Sequence, residues 1–156
     1  MAIRKIRFEG DEVLRKKSKE VKEVTEKTLE LIDDMFDTMY DSYGVGLAAP
    51  QIGILKRIVV IDVTGEDPMV FINPEILEKS GTQTGEEGCL SLPGKSAIVT
   101  RPNHVICKAF DENMEPFTIE AEGLLARAIC HETDHLDGVL YRDIADGPVH
   151  DVETDE

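Results

Sequence analysis

The sequence has no long apolar segment, few cysteines and few basic residues, and each shortage excludes a class of protein. No apolar run approaches the about 18 residues that a membrane-spanning helix needs. The basic start, residues 1–7, is not followed by the apolar segment of a signal peptide. Three cysteines are an odd, small number that does not suit a disulfide framework. We therefore expect a cytoplasmic protein with free thiols and no membrane contact.

Basic residues are outnumbered by acidic ones, 17 Lys plus Arg against 32 Asp plus Glu, for a formal net charge of -15. Such a surface repels phosphate backbones, which argues against direct DNA binding. Eight of the 17 basic residues precede Glu23, so the region from Arg4 to Lys22 is the one candidate for docking a polyanion.

What is present is ordinary globular composition, with 41% hydrophobic and 31% charged residues in 156. This length and the lack of repeats or linkers predict one domain, residues 1–145. We also expect a monomer. The acidic residues 146–156 are expected to form a flexible tail.

Two helices are predicted. Residues 25–43 have Thr25 as a cap and apolar residues that recur at helical spacing. Four aspartates are expected on the solvated face of this helix. The apolar positions are Leu29, Ile32, Met35, Phe36, Met39 and Tyr43, and the aspartates are Asp33, Asp34, Asp37 and Asp41. The second helix covers about residues 122–137, and Gly138 follows where a C-terminal cap belongs.

Short β-branched runs between the helices predict strands at residues 57–63, 69–73, 76–79, 97–100, 105–110 and 116–121. No helical segment separates them. That order favours an α+β fold with antiparallel sheets over a doubly wound parallel sheet.

The second helix contains His131-Glu132-Thr133-Asp134-His135. Residues four apart lie on one face of a helix, so both imidazoles can bind one metal ion. Glu132 lies beside them and can reach a water molecule on that metal. A chance match on an exposed helix is the alternative, and a third ligand is needed to decide.

The third ligand is sought on both sides of the motif. Downstream, only 21 residues follow His135, and Glu153 and His150 lie there without a visible scaffold. Upstream, Cys89 lies in a bend marked by Gly88 and Pro93, where a thiolate would complete a site with one position open to water. Cys107 and Cys130 fit buried core residues better than ligands.

A third segment, residues 44–53, is rich in glycine and alanine and contains Gln51. Its glycine spacing fits neither nucleotide-binding signature. A plain helix-to-strand connector is one interpretation. The other is a backbone that passes against a ligand, with the Gln51 amide facing it.

Together the three segments resemble the peptide deformylase family. Residues 44–51, 87–91 and 131–135 are similar to its three motifs in order and spacing, and the likeness extends from about Ile6 to Leu140. The resemblance implies antiparallel sheets around a central helix carrying the histidine motif, with a second, N-terminal helix. It also implies an enzyme that hydrolyses the N-formyl group of N-formylmethionyl nascent polypeptides and releases formate. Another small metallohydrolase or peptidase with the same motif is the alternative.

The resemblance also implies residue roles. Cys89, His131 and His135 would bind one divalent metal, Fe²⁺ in the first place and otherwise Zn²⁺, Ni²⁺ or Co²⁺. Glu132 would transfer the proton, while the Gln51 side chain and the Leu90 backbone N–H would stabilise the oxyanion. The expected substrate-binding residues are Val45, Gly46, Glu87, Gly88, Leu124 and Ala128. A transient ribosome contact is a further implied partner.

Two positions depart from the family pattern. Cys130 stands where many members have glutamine, and Ser96 where some have an arginine near the outer substrate residues. One more expectation concerns Asp134, which lies in a partly buried helix and needs a partner. We predict an ion pair between Asp134 and Arg101.

Overall fold

The computed structural model describes residues 2–152. Its elements are α1 (Glu26–Asp41), β1 (Gly46–Ala48), β2 (Ile58–Ile61), β3 (Met69–Ser80), β4 (Gln83–Cys89), β5 (Leu92–Arg101), β6 (His104–Phe110), β7 (Pro116–Glu122), α2 (Gly123–Leu136) and β8 (His150–Asp151). One sheet has the order β1-β2-β3-β6-β7 and the other β4-β5-β8, with antiparallel neighbours throughout. The predicted α+β class with antiparallel sheets is confirmed.

Helix α2 lies between the two sheets and carries His131, Glu132 and His135. Strand β2 alternates its buried side chains between two clusters. Val59 and Ile61 pack with Ile129 of α2, whereas Ile58 and Val60 pack with α1. The second sheet has its own apolar cluster and is tied to α2 by hydrogen bonds from Arg127 to the carbonyl of Val99 and from Arg101 to Asp134. No helix within residues 2–152 has the length and apolar content needed to cross a bilayer.

Helix α1 begins at the predicted cap, where Thr25 and Thr28 form a reciprocal capping box. The predicted faces need correction. Leu29 and Tyr43 are exposed, and Leu31 is buried in the core instead. Asp34 is buried rather than solvated, because it accepts hydrogen bonds from the Ala2 amide and the Arg4 guanidinium.

Two strand predictions also differ from the structure. Residues 69–73 and 76–79 belong to one strand, β3, whose register shifts between Ile72 and Glu75. There Asn73 has a φ of 52°. Its side-chain amide accepts a hydrogen bond from the backbone N–H of Val21 and donates one to the carbonyl of Val21. Strand β4 was not predicted, because its sequence is polar and glycine-containing and has no apolar alternation.

Part of the predicted flexible tail adds a strand to the second sheet. His150 and Asp151 pair with Ser96 and Lys95 of β5, and the Asp146 amide donates to the carbonyl of Ile98. The edge of β5 offers backbone groups for this pairing, so residues 150 and 151 form a strand where a flexible tail was expected. Residues 153–156 lie outside the described residues.

Candidate active site

Helix α2 brings His131 and His135 together as the spacing of four predicts. Their Nε2 atoms are 3.2 Å apart, and both residues are buried. Cys89, the last residue of β4, places its Sγ 3.3 Å from Nε2 of His135. The three ligand atoms all lie within 4.8 Å of one another.

This arrangement fits a tetrahedral metal. Metal–nitrogen distances of about 2.05 Å and metal–sulfur distances of about 2.3 Å separate two nitrogens by about 3.3 Å and a nitrogen from a sulfur by about 3.6 Å. The observed 3.2 and 3.3 Å are close to both values. Two nitrogens and one sulfur leave the fourth position open, which is the pattern of a catalytic site.

The other ligand candidates lie elsewhere. Cys107 and Cys130 are buried in the apolar cluster between α2 and the five-stranded sheet. His150 bonds Glu86 at 3.1 Å on the outside of the second sheet. Glu153, the other downstream candidate, lies outside the described residues.

The Glu87 carboxylate forms a hydrogen bond with Nδ1 of His131, the ring nitrogen opposite the one near His135. Its Oε2 accepts a hydrogen bond from Nδ1 of His131 at 2.6 Å, which leaves Nε2 with its lone pair toward Cys89 and His135. Such carboxylate–histidine pairs fix the tautomer and the ring orientation of a metal-ligating histidine. Although burial raises the pKa of Glu87, hydrogen bonds from His131 and Arg101 lower it more, so the carboxylate stays ionised.

The carboxylate of Glu87, one of the predicted substrate-binding residues, is engaged by groups of the protein itself. Both oxygens are engaged by the protein, one by Arg127 at 2.8 Å and the other by Arg101 at 2.7 Å and by His131. The side chain is 5% exposed. Arg101 also bonds Asp134 at 2.6 Å, which confirms the predicted ion pair and ties the end of β5 to α2.

The pKa values of the two histidines are shifted in opposite directions. Burial lowers the pKa of His131, but Glu132, Cys89 and Glu87 raise it more, so it lies well above the usual value. Burial and the charge of His131 instead lower the pKa of His135.

Glu132 lies beside the histidines and is 4% exposed. Burial is the main cause that raises its pKa to about 7, a value suited to accepting and returning a proton near neutral pH. Within residues 2–152 its buried Oε1 has no hydrogen-bond partner.

Gly46 of β1 packs directly against Glu132. A Cβ atom at this position would lie 2.6 Å from Oε2 of Glu132. We expect Gly46→Ala to displace the carboxylate and lower kcat by about tenfold to a hundredfold, since misplacement by 1 Å can cost a hundredfold. Steady-state kinetics check this, with Gly85→Ala as the control, because a Cβ there meets only the end of the Arg127 side chain at 3.8 Å. Equal kcat in Gly46→Ala and the wild type would contradict it.

The Gln51 amide reaches the ligand cluster from the short 3₁₀ turn after β1. Its Oε1 accepts from the Ala48 amide at 3.0 Å, which orients Nε2 toward Ser91 and the thiol. Nε2 is 3.1 Å from Oγ of Ser91 and 3.5 Å from Sγ of Cys89. The side chain is buried, so this donor is fixed beside the Cys89 thiol.

A cavity of about 610 Å³ opens in front of these groups. Every predicted site residue except His135 lines it, including Leu90, which follows Cys89 at the turn between β4 and β5. His135 lies deeper. Ala128 is a buried wall, whereas Leu124 is 52% exposed at the rim.

Sequence reasoning missed several lining residues. Ile6 and Phe8 come from the N-terminal segment, Tyr43 follows α1, and Arg127 lies on α2. None belongs to a motif; Tyr43 and Arg127 are neighbours of motif residues in the sequence, whereas long-range packing brings Ile6 and Phe8 here. Of the two departures, Cys130 is buried in the core, and Ser96 is buried where β8 pairs with β5.

Two imidazoles, a thiol and a buried carboxylate at an open cavity define the class as a metal-dependent hydrolase. The comparisons identify the family within that class. The model of the family described as polypeptide deformylase matches residues 3–150. The chain belongs to the peptide deformylase family, which is metal-dependent, and the resemblance seen in the sequence is confirmed.

Relatives support this over nearly the whole chain. Peptide deformylase of Lachnoclostridium phytofermentans is 63% identical over 154 residues, covering 97% of this chain and 94% of the relative. The solved structure from Legionella pneumophila has a TM-score of 0.90 at 50% identity and covers 92% of this chain and 86% of its own. That from Thermotoga maritima has a TM-score of 0.91 at 43% identity, covering 94% and 100%.

Proposed function

We propose that this chain removes the N-formyl group from N-formylmethionyl nascent polypeptides and releases formate, using one divalent metal held by Cys89, His131 and His135. The observation that carries the proposal is the convergence of these three side chains beside Glu132 in a chain that matches the family over residues 3–150. The solved relative from Synechococcus elongatus is a complex with actinonin.

Fe²⁺ is the metal we propose, with Zn²⁺, Ni²⁺ or Co²⁺ able to take its place, since thiolate and imidazole ligands suit all four. A thiolate and two neutral imidazoles around a divalent ion leave a net charge of +1. When bound, the metal supplies Lewis-acid activation of water and of the formyl oxygen.

Glu132 is the proton carrier in this proposal. Its carboxylate accepts a proton from the attacking water and returns it to the amine that leaves as the C–N bond breaks. The Gln51 amide and the Leu90 backbone N–H donate to the oxygen that becomes negative. Gln51 suits this role because Ala48 and Ser91 hold its amide in place.

Substrate binding uses the walls of the cavity. Backbone groups of Val45, Gly46 and Gly88 align the peptide as an added strand. Ala128 and Leu124, on the face of α2 next to His131, contact the methionine side chain. Support comes from their place in the cavity lining and from the burial of Ala128.

The activity is tested with two peptides that differ only in the blocking group. We expect metal-dependent formate release from a formyl-Met tripeptide and none from the acetylated peptide. A small peptidase would instead cleave an internal bond of either peptide, which mass spectrometry detects. Internal cleavage without formate would overturn the proposal.

We further propose a cytoplasmic monomer that contacts the ribosome through exposed lysines. Lys16, Lys17 and Lys19 are exposed and have no ion pair in the described part of the chain. Neighbouring arginines are neutralised, Arg4 by Asp34 and Arg15 by Asp143. Together with Lys5 and Lys22, which are also exposed, the three lysines carry the basic character of this region.

Reversing the charge of these lysines to glutamate should weaken co-sedimentation with ribosomes by about tenfold or more, because each phosphate contact contributes to affinity. Formate release from short peptides should stay unchanged. The matched control reverses Lys27, Lys79 and Lys108, which are also exposed. Equal loss in both triple variants, or in neither, would remove the lysine contact.

A further inference from the structure

Arg127 is a buried arginine that belongs to none of the three motifs. It lies on α2 one turn before His131, and it is 8% exposed. A guanidinium in such a place needs acceptors for its donors, because an unpaired buried charge is strongly destabilising.

The structure supplies these acceptors from two strands. Nη2 donates to the carbonyl of Val99 on β5 at 3.1 Å, and Nε donates to Oε1 of Gln83 on β4 at 3.3 Å. Nη1 donates to Oε1 of Glu87 at 2.8 Å. The guanidinium is thus fixed in the second sheet and directs one donor at Glu87.

Glu87 is the link to the metal ligand. Its Oε2 is shared by Nη2 of Arg101 and Nδ1 of His131, whereas its Oε1 is shared by Arg127 and Nε of Arg101 at 3.2 Å. Without Arg127, Oε1 keeps only the longest of these four bonds. Among the described residues, Arg101 is then the one guanidinium that still bonds the carboxylate, so Oε1 is less constrained, and the orientation of His131 is less constrained with it.

We propose that Arg127 is a positioning residue that acts through Glu87 to hold His131 in its metal-binding orientation. The inference rests on the proposed function, since it takes His131 as a ligand. It assigns Arg127 no contact with the metal or with the reacting atoms. Its consequence is slower metal loss, rather than tighter substrate binding.

Metal retention tests this directly. Arg127→Gln and Arg127→Met are loaded with Co²⁺ and challenged with excess chelator while the visible Co²⁺ absorption is followed. We expect about tenfold faster loss than in the wild type and a changed absorption band, since outer-shell changes cost about 10–100-fold in affinity or activity. The KM for a formyl-Met tripeptide should change much less than kcat.

Two controls separate positioning from general destabilisation. Arg127→Lys restores a cation facing Glu87 and should recover most of the retention. Arg57→Met removes a guanidinium that bonds the carbonyl of Leu136 at the other end of α2 and should lose Co²⁺ at the wild-type rate. Fast loss in Arg57→Met equal to that in Arg127→Met would overturn the proposal, as would wild-type retention in both Arg127→Gln and Arg127→Met.

A double variant tests the route through Glu87. In the Glu87→Gln background, Arg127→Gln should accelerate Co²⁺ loss by less than about twofold, because interacting residues give non-additive effects. An additional factor equal to that in the wild-type background would overturn the route. If Co²⁺ binds with the expected retention pattern but no formate is released, the proposed function fails while the positioning role stands.

Discussion

Glu132→Ala is expected to lower kcat for formate release by about a thousandfold while the metal stays bound. General acid–base groups contribute about 10²–10⁴-fold. Glu132 is suited to this role because burial raises its pKa to about 7 and leaves Oε1 without a partner within residues 2–152. Its side chain is not among the three ligand atoms, so metal content should remain that of the wild type.

Glu132→Gln provides the matched comparison. It keeps the shape of the side chain against Gly46 but cannot carry the proton at neutral pH. Both variants should lose kcat to a similar extent. A glutamine variant with wild-type kcat would show that Glu132 only fills space.

Cys89→Ser is expected to lose the metal and, with it, nearly all formate release. A serine hydroxyl does not ionise near neutral pH, whereas the thiolate is the metal-binding form of cysteine. Substitution of residues that hydrogen-bond to a metal ligand already costs about 10–100-fold in affinity or activity. Removal of a ligand itself should therefore lower the metal affinity by more than about a hundredfold. Elemental analysis and formate assay check both parts.

Cys130→Ser is the control for this exchange. Cys130 neighbours His131 in sequence but is buried in the apolar cluster, away from the three ligand atoms. Its metal content should equal that of the wild type. Metal retained in Cys89→Ser but lost in Cys130→Ser would move the ligand assignment to Cys130.

The sequence allowed the local parts of the site to be predicted. His131 and His135 depend only on the pitch of a helix, and the helix of Gly123–Leu136 was expected within one residue at each end. The pairing of Asp134 with Arg101 was likewise predicted, because a charged residue in a partly buried helix needs a partner.

The hydrogen-bond network that joins His131 to Glu87, Arg101 and Arg127 was not predicted. Glu87 was predicted as a site residue from its motif, but a motif names a position and not the direction of its side chain. In the fold it points into the interior, where Arg101 and Arg127 neutralise it. These residues come from three elements that meet only after the second sheet packs on α2, and no local pattern encodes that packing.

The strands likewise include some that the sequence predicted and one that it did not. Residues 58–61 are apolar on both faces and were found, whereas β4 carries Thr84, Glu86 and two glycines and was not. Strand β4 is held by its pairing with β5 along its whole length. Hydrophobic pattern therefore located the core strands, and tertiary pairing determined the strand that carries Cys89.

Metal content and formate release, measured on the same anaerobic preparations of the wild type, Glu132→Ala and Cys89→Ser, test the central claim most directly. The account predicts about one metal and full activity in the wild type, about one metal and almost no activity in Glu132→Ala, and neither in Cys89→Ser. Formate release that persists in metal-free Cys89→Ser at the wild-type rate would contradict it.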